Sequence, residues 1–248
     1  MIAKSAYLSD PGLIRENNED FILADDELGA YFLADGMGGH NAGEVASKLA
    51  VKTAHVYLKK QLLSSKYNKI PEILSKSIKA AHEKVKNKAI KDFSMRGMGT
   101  TLVELIIRNN KAFVCHVGDS RAYHFSKALQ RLTNDHSMGN RLLENNIARD
   151  RIPENQWSIL TQAIGVGNQP AADLKQIDIS LDDIIMLCSD GLTDMLTDKE
   201  IETIIKREKL NIDNIAKNLI ESANINGGKD NISVVLVEIN SILQEESE

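Results

Sequence analysis

Aspartate recurs beside glycine where apolar segments of the sequence end. Taken singly, each such pair is typical of a turn, because turns favour Asp and Gly. As a set the pairs predict a metal site, since carboxylates that neighbouring strand ends bring together could not all stay ionised without a cation. Oxygen ligands select hard ions such as Mg²⁺ or Mn²⁺, and adjacent glycines let backbone carbonyls and waters approach the ion. The four places are Asp35-Gly36, Gly118-Asp119, Asp190-Gly191 and Gly228-Lys229-Asp230.

A permanent cation and a run of acids lie near the N-terminus, in the segment RENNED at 15–20. By itself this segment is typical of a solvated charged turn. Beside a metal cluster, however, the planar guanidinium of Arg15 would bind a phosphoryl group that the metals also polarise. With two metals about 4 Å apart, a bridging water is acidified toward hydroxide and attacks phosphorus in line, without a covalent enzyme intermediate.

Other catalytic motifs fail on spacing. The glycine-rich stretch after Asp35 has Asn41 where a dinucleotide fingerprint needs glycine, and Glu44 where a P-loop needs lysine. Lys86 stands where a zinc-protease motif would need its second histidine, and no G-x-S-x-G serine elbow occurs. We therefore expect no nucleophilic catalysis by a side chain.

The apolar spacing predicts the elements that must position these groups. Strands and helices come in blocks, which favours α+β with antiparallel sheets over a parallel doubly wound fold. A helix of about 20 residues after Gly43 and a second one from Pro71 should pack together, and Asn109-Asn110 should form a hairpin turn. The predicted strands are 2–8, 21–24, 30–34, 101–108, 111–117, 121–125, 174–179, 183–187 and 232–239, and two later helices are about 198–206 and 212–223.

The composition is that of an ordinary globular protein, and it excludes some classes of partner. The 248 residues include 30 Lys and Arg against 35 Asp and Glu, a formal charge of −5, and the sequence pI is near 5.7. This acidity argues against a nucleic-acid binder with a broad basic footprint. No apolar run approaches the roughly 18 residues of a membrane span, so we expect no membrane segment and a cytoplasmic location. Cys115 and Cys188 lie in apolar runs, as buried thiols do.

We expect one catalytic domain over 1–241, with an excursion from the sheet at about 134–172, and an acidic C-terminal tail at 242–248 that frays. The excursion has scattered charge, two prolines and the only tryptophan, Trp157. No feature indicates an oligomer, so a monomer is the default.

The sequence resembles the metal-dependent serine/threonine protein phosphatases of type 2C, the PPM family, in their short bacterial form. The match runs in order along nearly the whole chain. It comprises RENNED at 15–20, ADGMGGH at 34–40, GMGTT at 97–101, VGDSRAY at 117–123, LTNDHS at 132–137, SDGL at 189–192 and GGKDNIS at 227–233. The resemblance implies an α+β fold, an αββα sandwich of two antiparallel β-sheets flanked by pairs of antiparallel helices. It also implies that a Mn²⁺- or Mg²⁺-dependent enzyme hydrolyses phosphoserine and phosphothreonine in phosphoproteins, opposing a cognate bacterial-type Ser/Thr kinase.

The resemblance further implies a role for each matching residue. Asp35 would bridge two core ions, the Gly36 carbonyl would bind one of them, and Asp190 and Asp230 would bind the other. Asp119, together with Asp190, would hold a weaker third ion. The remaining roles are water ligation by Glu19 and Asp20, phosphate binding by Arg15, support of the site by Asn231, and general acid catalysis by His40, for which an ordinary turn histidine is the alternative.

The departures from the family pattern fall in the excursion at 134–172, which corresponds to the family's mobile flap beside the cleft. Bacterial members of the family usually carry a His-Pro and basic pattern there. This chain has Glu154-Asn155-Gln156-Trp157-Ser158 instead, and Gln162 replaces a customary arginine. We therefore expect ordinary catalysis with altered substrate selection.

Two alternatives stay open. A catalytically silent domain of the same fold, which binds a phosphoprotein or another partner, would be expected to lose Asp35, Asp190 or Asp230, and none is missing. A hydrolase of small phosphorylated metabolites would have the same site chemistry and would differ only at the rim. Comparing turnover of a phosphopeptide with turnover of a small phosphate ester separates that enzyme from a protein phosphatase.

Overall fold

The computed structural model describes residues 3–38, 42–63, 69–208 and 211–242, and in this part of the chain two antiparallel sheets lie between two layers of helices. The strands are β1 (Ala3–Asp10), β2 (Asp20–Asp25), β3 (Ala30–Met37), β4 (Gly99–Thr100), β5 (Leu102–Arg108), β6 (Lys111–Val117), β7 (Arg121–Phe125), β8 (Leu129–Arg131), β9 (Asp173–Asp178), β10 (Ile184–Cys188) and β11 (Ile232–Ile239). The helices are α1 (Ala42–Leu62), α2 (Ile70–Lys91), α3 (Met138–Glu144), α4 (Asp190–Thr193), α5 (Asp198–Arg207) and α6 (Ile212–Ile225). One sheet has the order β1-β11-β10-β7-β8, and the other β2-β3-β5-β6-β9 with β4 paired to β3.

Strand β3 shows how the layers are built. Its side chains alternate, so that Tyr31 and Leu33 enter the apolar layer between the sheets while Phe32 and Ala34 face α1 and α2. A third apolar layer joins the other sheet to α4, α5 and α6. Because both of its faces are covered, β3 is held in place as far as Asp35 and Gly36 near its C-terminal end, where the chemistry was predicted.

Local signals explain several boundaries. Asn109 and Asn110 both have positive φ, 48° and 59°, as the two-residue turn of a hairpin requires, and they join β5 to β6. Pro71 stands in the first turn of α2. Helix α5 begins with a capping box, in which Thr197 and Glu200 satisfy each other's backbone N–H groups.

The fold class is confirmed: the two sheets and the flanking helix pairs form the expected α+β sandwich. The predicted strands 111–117, 121–125 and 232–239 coincide with β6, β7 and β11. No described helix is long and apolar enough to cross a membrane. Within the expected acidic tail, 243–248 lie outside the described residues.

The structure also contains elements that periodicity missed, namely α3, α4, β4 and β8. All four have seven residues or fewer, too short to show a period in the sequence. The excursion at 134–172 contains α3, capped by Ser137, which accepts from the backbone N–H of Asn140 at 3.3 Å. Two 3₁₀ turns follow, Arg149–Arg151 and Glu154–Gln156.

Candidate metal centre

A cleft of about 1060 Å³ opens where β3 ends and where the chain enters α4 and β11. Asp20 was also predicted to belong to the site, but it is buried and does not line the cleft. His40 lies outside the described residues. The other eight predicted site residues line the cleft together: Arg15, Glu19, Asp35, Gly36, Asp119, Asp190, Asp230 and Asn231.

The backbone of Asp35 is fixed on both sides by threonines. Its N–H donates to Thr101 Oγ1 at 2.9 Å, and its carbonyl accepts from the Thr101 N–H at 2.9 Å and from Thr100 Oγ1 at 2.7 Å. Thr101 Oγ1 also shares a 2.7 Å hydrogen bond with Ser120 Oγ, next to Asp119. These hydrogen bonds satisfy the backbone N–H and carbonyl of Asp35, and its carboxyl group lines the cleft.

The carboxyl groups crowd one another. Burial, reinforced by neighbouring carboxylates, raises the pKa of Asp20 to about 7, that of Asp119 to about 8 and that of Asp190 to about 6. The same causes raise the pKa of Asp35 well above its ordinary value. Asp190 is one of the neighbouring carboxyls that raise the pKa of Asp35, so the two groups do not ionise independently. Without a cation, the cluster must therefore keep protons near neutral pH.

The donor set fits a hard divalent ion. Asp20 Oδ1 and Asp190 Oδ1 are buried and have no hydrogen-bond partner among the described residues, an arrangement that is costly unless a cation or water completes it. The residues that line the cleft supply several carboxylates and the backbone of Gly36, and carboxylate and carbonyl oxygens are the ligands that Mg²⁺ and Mn²⁺ take. The residues present can thus hold the predicted metal pair.

Two glycines permit a close approach at the floor of the site. A Cβ added to Gly36 would lie 2.2 Å from the carbonyl oxygen of Gly43, and one added to Gly43 would lie 2.4 Å from Glu19 Oε2. The Gly36 N–H also donates to the Glu19 carbonyl at 3.2 Å. Burial raises the pKa of Glu19, and the charge of Arg15 opposes that rise. Any side chain at either glycine would push Glu19 away from Gly36.

Arg15 supplies positive charge at the mouth of the cleft. Its Nη2 donates to Asp230 Oδ2 at 2.7 Å, and the two side chains are 57% and 39% exposed, so solvent and ligands reach the pair. Among the described residues that line the cleft, Arg15 is the only lysine or arginine. An anionic group that enters the cleft therefore meets this guanidinium next to the carboxylates.

Asn231 joins three segments around the site. Its Oδ1 accepts from the Glu19 N–H at 2.8 Å, and its Nδ2 donates to the carbonyls of Pro11 at 3.0 Å and Asn17 at 2.8 Å. The side chain is buried, which suits the supporting role expected for it. Ser189 has a comparable position, because its Oγ donates to Asp20 Oδ2 at 2.8 Å.

Sequence reasoning assigned no role to Thr101 or Ser189. Both stand inside segments that were recognised, GMGTT at 97–101 and SDGL at 189–192. Their hydroxyls hold Asp35 and Asp20, so position within a motif was the available signal.

A second cluster, His116, His136 and Asp173, has ligand atoms within 4.8 Å of one another. Its hydrogen bonds argue against a metal. The Gly118 N–H donates to His136 Nδ1 at 3.2 Å, so the proton of the neutral ring lies on Nε2, 3.5 Å from Asp173 Oδ2, and no lone pair remains there. The two rings stack with centroids 4.8 Å apart. This cluster braces the Gly118 backbone, next to Asp119.

Comparisons with known proteins agree with this geometry. A family model described as Protein phosphatase 2C matches residues 15–219. The serine/threonine phosphatase stp of Listeria monocytogenes is 35% identical over 238 residues, 94% of each chain. Protein phosphatase PhpP of Streptococcus pneumoniae is 34% identical over 244 residues, 95% of this chain and 97% of its own.

Solved structures are also similar. The serine/threonine phosphatase of S. agalactiae superimposes with a TM-score of 0.87 at 33% identity, covering 96% of this chain and 100% of its own. The catalytic domain of the serine/threonine phosphatase PstP, solved in complex with two manganese ions, gives a TM-score of 0.84 at 30% identity, with coverages of 96% and 99%.

Proposed function

Because the chain belongs to the protein phosphatase 2C family, we propose that the carboxylate-lined cleft is its active site and that phosphoproteins are its physiological substrates. The chain is a serine/threonine phosphoprotein phosphatase that depends on Mn²⁺ or Mg²⁺ in a two-ion core. The observation that carries the assignment of the site is the convergence of Asp35, Asp119, Asp190 and Asp230 on one cleft, where the buried Oδ1 atoms of Asp20 and Asp190 lack partners within the described chain.

We assign the metal ligands residue by residue. Asp35 would hold both core ions, the Gly36 carbonyl would help to hold one of them, and Asp190 and Asp230 would help to hold the other. The support is that all four line one cleft at the ends of elements that the two sheets hold in place. Asp119, whose pKa burial raises to about 8, faces the same cleft and is assigned with Asp190 to a weaker third ion. Glu19 and Asp20 would accept hydrogen bonds from waters bound to the ions.

The protein groups then orient the substrate. When bound, two divalent ions supply Lewis acidity and an acidified water for in-line attack at phosphorus. Arg15 exchanges part of its contact with Asp230 for the phosphate oxygens of the substrate. Thr101 keeps Asp35 in register, and Asn231 keeps Glu19 in place. Because the cleft is open, the leaving seryl or threonyl oxygen can take its proton from solvent or from His40, the proposed general acid.

The finer biological role is also a proposal. We propose that the enzyme acts as a monomer in the cytoplasm and opposes a cognate Ser/Thr kinase. Cys115 and Cys188 support a reducing compartment, because both are free thiols that are buried in the apolar layers. A phosphorylated bacterial-type kinase domain, offered as substrate, should lose its phosphate only in the presence of metal.

The test of the site assignment is calorimetric titration with Mn²⁺ after chelator treatment. The parent protein should bind two ions tightly, whereas Asp35→Asn, which removes charge from the bridging ligand, should lose the pair and also lose turnover of a phosphothreonine peptide. Asp213→Asn is the matched control, since Asp213 is an exposed aspartate on α6 that does not line the cleft. Full Mn²⁺ binding and activity in Asp35→Asn would falsify the two-metal assignment.

A further inference from the structure

Trp157, the single tryptophan of the chain, packs against α3. A Cβ added to Gly139 would lie 2.5 Å from Trp157 Cε3 and 2.6 Å from Cδ2, so the indole rests directly on the backbone of the helix. The guanidinium carbon of Arg149 lies 4.3 Å from the ring centroid, a cation–π distance. Glycine is required at 139 for space, because any side chain there would displace the indole.

The residues after Trp157 are paired with the start of α3. The Met138 N–H donates to the Ile159 carbonyl at 2.8 Å, and the Thr161 N–H donates to the His136 carbonyl at 2.8 Å. Ser137 and Leu160 form an antiparallel bridge between these contacts. Trp157 thus packs on α3 immediately before the chain enters this short pairing.

The other end of the segment is held by different elements. The backbones of Ile164 and Thr100 exchange two hydrogen bonds of 2.8 and 3.1 Å. From α2, His82 Nδ1 accepts from the Gly165 N–H at 3.1 Å, and Lys86 Nζ donates to the Gly167 carbonyl. The far end is thus attached to the sheet and α2, while the near end is attached to the start of α3, the helix on which Trp157 packs.

Residues of this segment form part of the wall of the cleft that Arg15 also lines. Within 158–170, all of which the structure describes, the residues that line the cleft carry no charge. Their amide and hydroxyl groups suit the N–H and C=O groups of a peptide backbone better than a charged side chain. The polar ones are Ser158, Thr161, Gln162, Asn168 and Gln169.

On the basis of the proposed function, we infer that Trp157 is a positioning residue for phosphoprotein substrates. By packing on Gly139 and contacting Arg149, Trp157 holds residues 158–162 in position at the wall of the cleft. The peptide that flanks the phosphorylated residue binds against this wall. A small phosphate ester reaches the carboxylates and Arg15 without this wall. Displacing the indole should therefore weaken phosphopeptide binding and leave the reaction itself unchanged.

The experiment compares a phosphothreonine peptide with p-nitrophenyl phosphate, both in Mn²⁺. Trp157→Ala and Gly139→Ala attack the same contact from its two sides, and alanine suits the helical position 139. Each should raise KM for the peptide about three- to tenfold, the range that a lost aromatic contact gives, with kcat for p-nitrophenyl phosphate within about twofold of the parent. Trp157→Phe should restore part of the loss. Arg149→Ala should have a smaller effect, and Arg151→Ala, in the same exposed turn, should have none.

The fluorescence emission of Trp157 shows directly whether the indole still packs on Gly139. In Gly139→Ala its emission should shift to the red, because the ring moves into water while the chain keeps its one tryptophan. A shifted emission together with an unchanged peptide KM would overturn the inference. Equal losses on both substrates would do so as well, since they would show general damage to the site. If the parent protein hydrolyses neither substrate with Mn²⁺, the proposed function fails and this inference fails with it, an outcome distinct from the other two.

Discussion

Glu104 is a buried acid in the middle of β5, away from the cleft, and it makes stability depend on pH. Its side chain is completely buried, Oε1 accepts from Ser77 Oγ at 2.8 Å, and Oε2 has no hydrogen-bond partner in the described structure. Burial raises the pKa of Glu104 from its ordinary value of 4.5 to about 8, and the hydrogen bond from Ser77 offsets only part of that rise. The carboxyl is therefore neutral in the folded protein at pH 7.

The sign and size of the effect follow from linkage. The folded state binds the proton of Glu104 more tightly than the unfolded state, so the contribution of Glu104 to stability is greatest below pH 4.5 and is lost as the pH rises towards 8. With these two pKa values, Glu104 alone makes the free energy of unfolding about 3.5 kcal/mol lower at pH 8 than at pH 5. Glu104→Gln keeps an acceptor for Ser77 but cannot ionise, so it should remove this contribution to the pH dependence of the unfolding free energy.

The assay is urea unfolding of the metal-free protein at several pH values between 5 and 8. The difference in unfolding free energy between Glu104→Gln and the parent should grow with pH in favour of the variant. Glu83→Gln is the control, because Glu83 lies on α2 with 59% of its side chain exposed and should leave the slope unchanged. Parallel curves for parent and Glu104→Gln would refute the reasoning.

Three further predictions concern the cleft. Arg15→Ala should raise KM for a phosphopeptide about tenfold with little change in kcat, because the lost contact exists in both the ground state and the transition state. Arg96→Ala is the control, since Arg96 does not line the cleft. A defect in kcat alone would contradict the role of Arg15. Asp119→Ala should lower turnover but keep both core ions in a Mn²⁺ titration, and loss of both ions would exclude the third-ion assignment. Mn²⁺ affinity should rise between pH 6 and pH 8, because the ions must displace protons from carboxyl groups at the site. Burial raises the pKa of Asp190 to about 6 and that of Asp119 to about 8. An affinity independent of pH would mean that these groups are already ionised.

The sequence predicted the long elements because their apolar period is visible over many residues. Strand β6 at 111–117 and helix α2 after Pro71 are examples. It could not predict α3, since a seven-residue helix with one buried position, Gly139, has no measurable period. The structure supplies the reason for that glycine, which is the indole of Trp157 lying against it.

The site was predictable to a similar extent. Asp-Gly pairs at strand ends indicated the carboxylates, and the motif order indicated the family. The raised pKa of Asp35, by contrast, depends on which carboxyl groups meet in space. The same holds for the hydroxyl contacts of Thr101 and Ser189, because Ser and Thr occur throughout ordinary turns and strands.

The most direct test of the central claim is hydrolysis of a phosphothreonine peptide by the purified protein, first after chelator treatment and then after adding back Mn²⁺, Mg²⁺ or Ca²⁺. We expect no turnover after chelation, full recovery with Mn²⁺ or Mg²⁺, and no recovery in Asp35→Asn. Turnover that persists after complete removal of metal, or a protein that binds Mn²⁺ and hydrolyses no phosphopeptide with any of these ions, would contradict it.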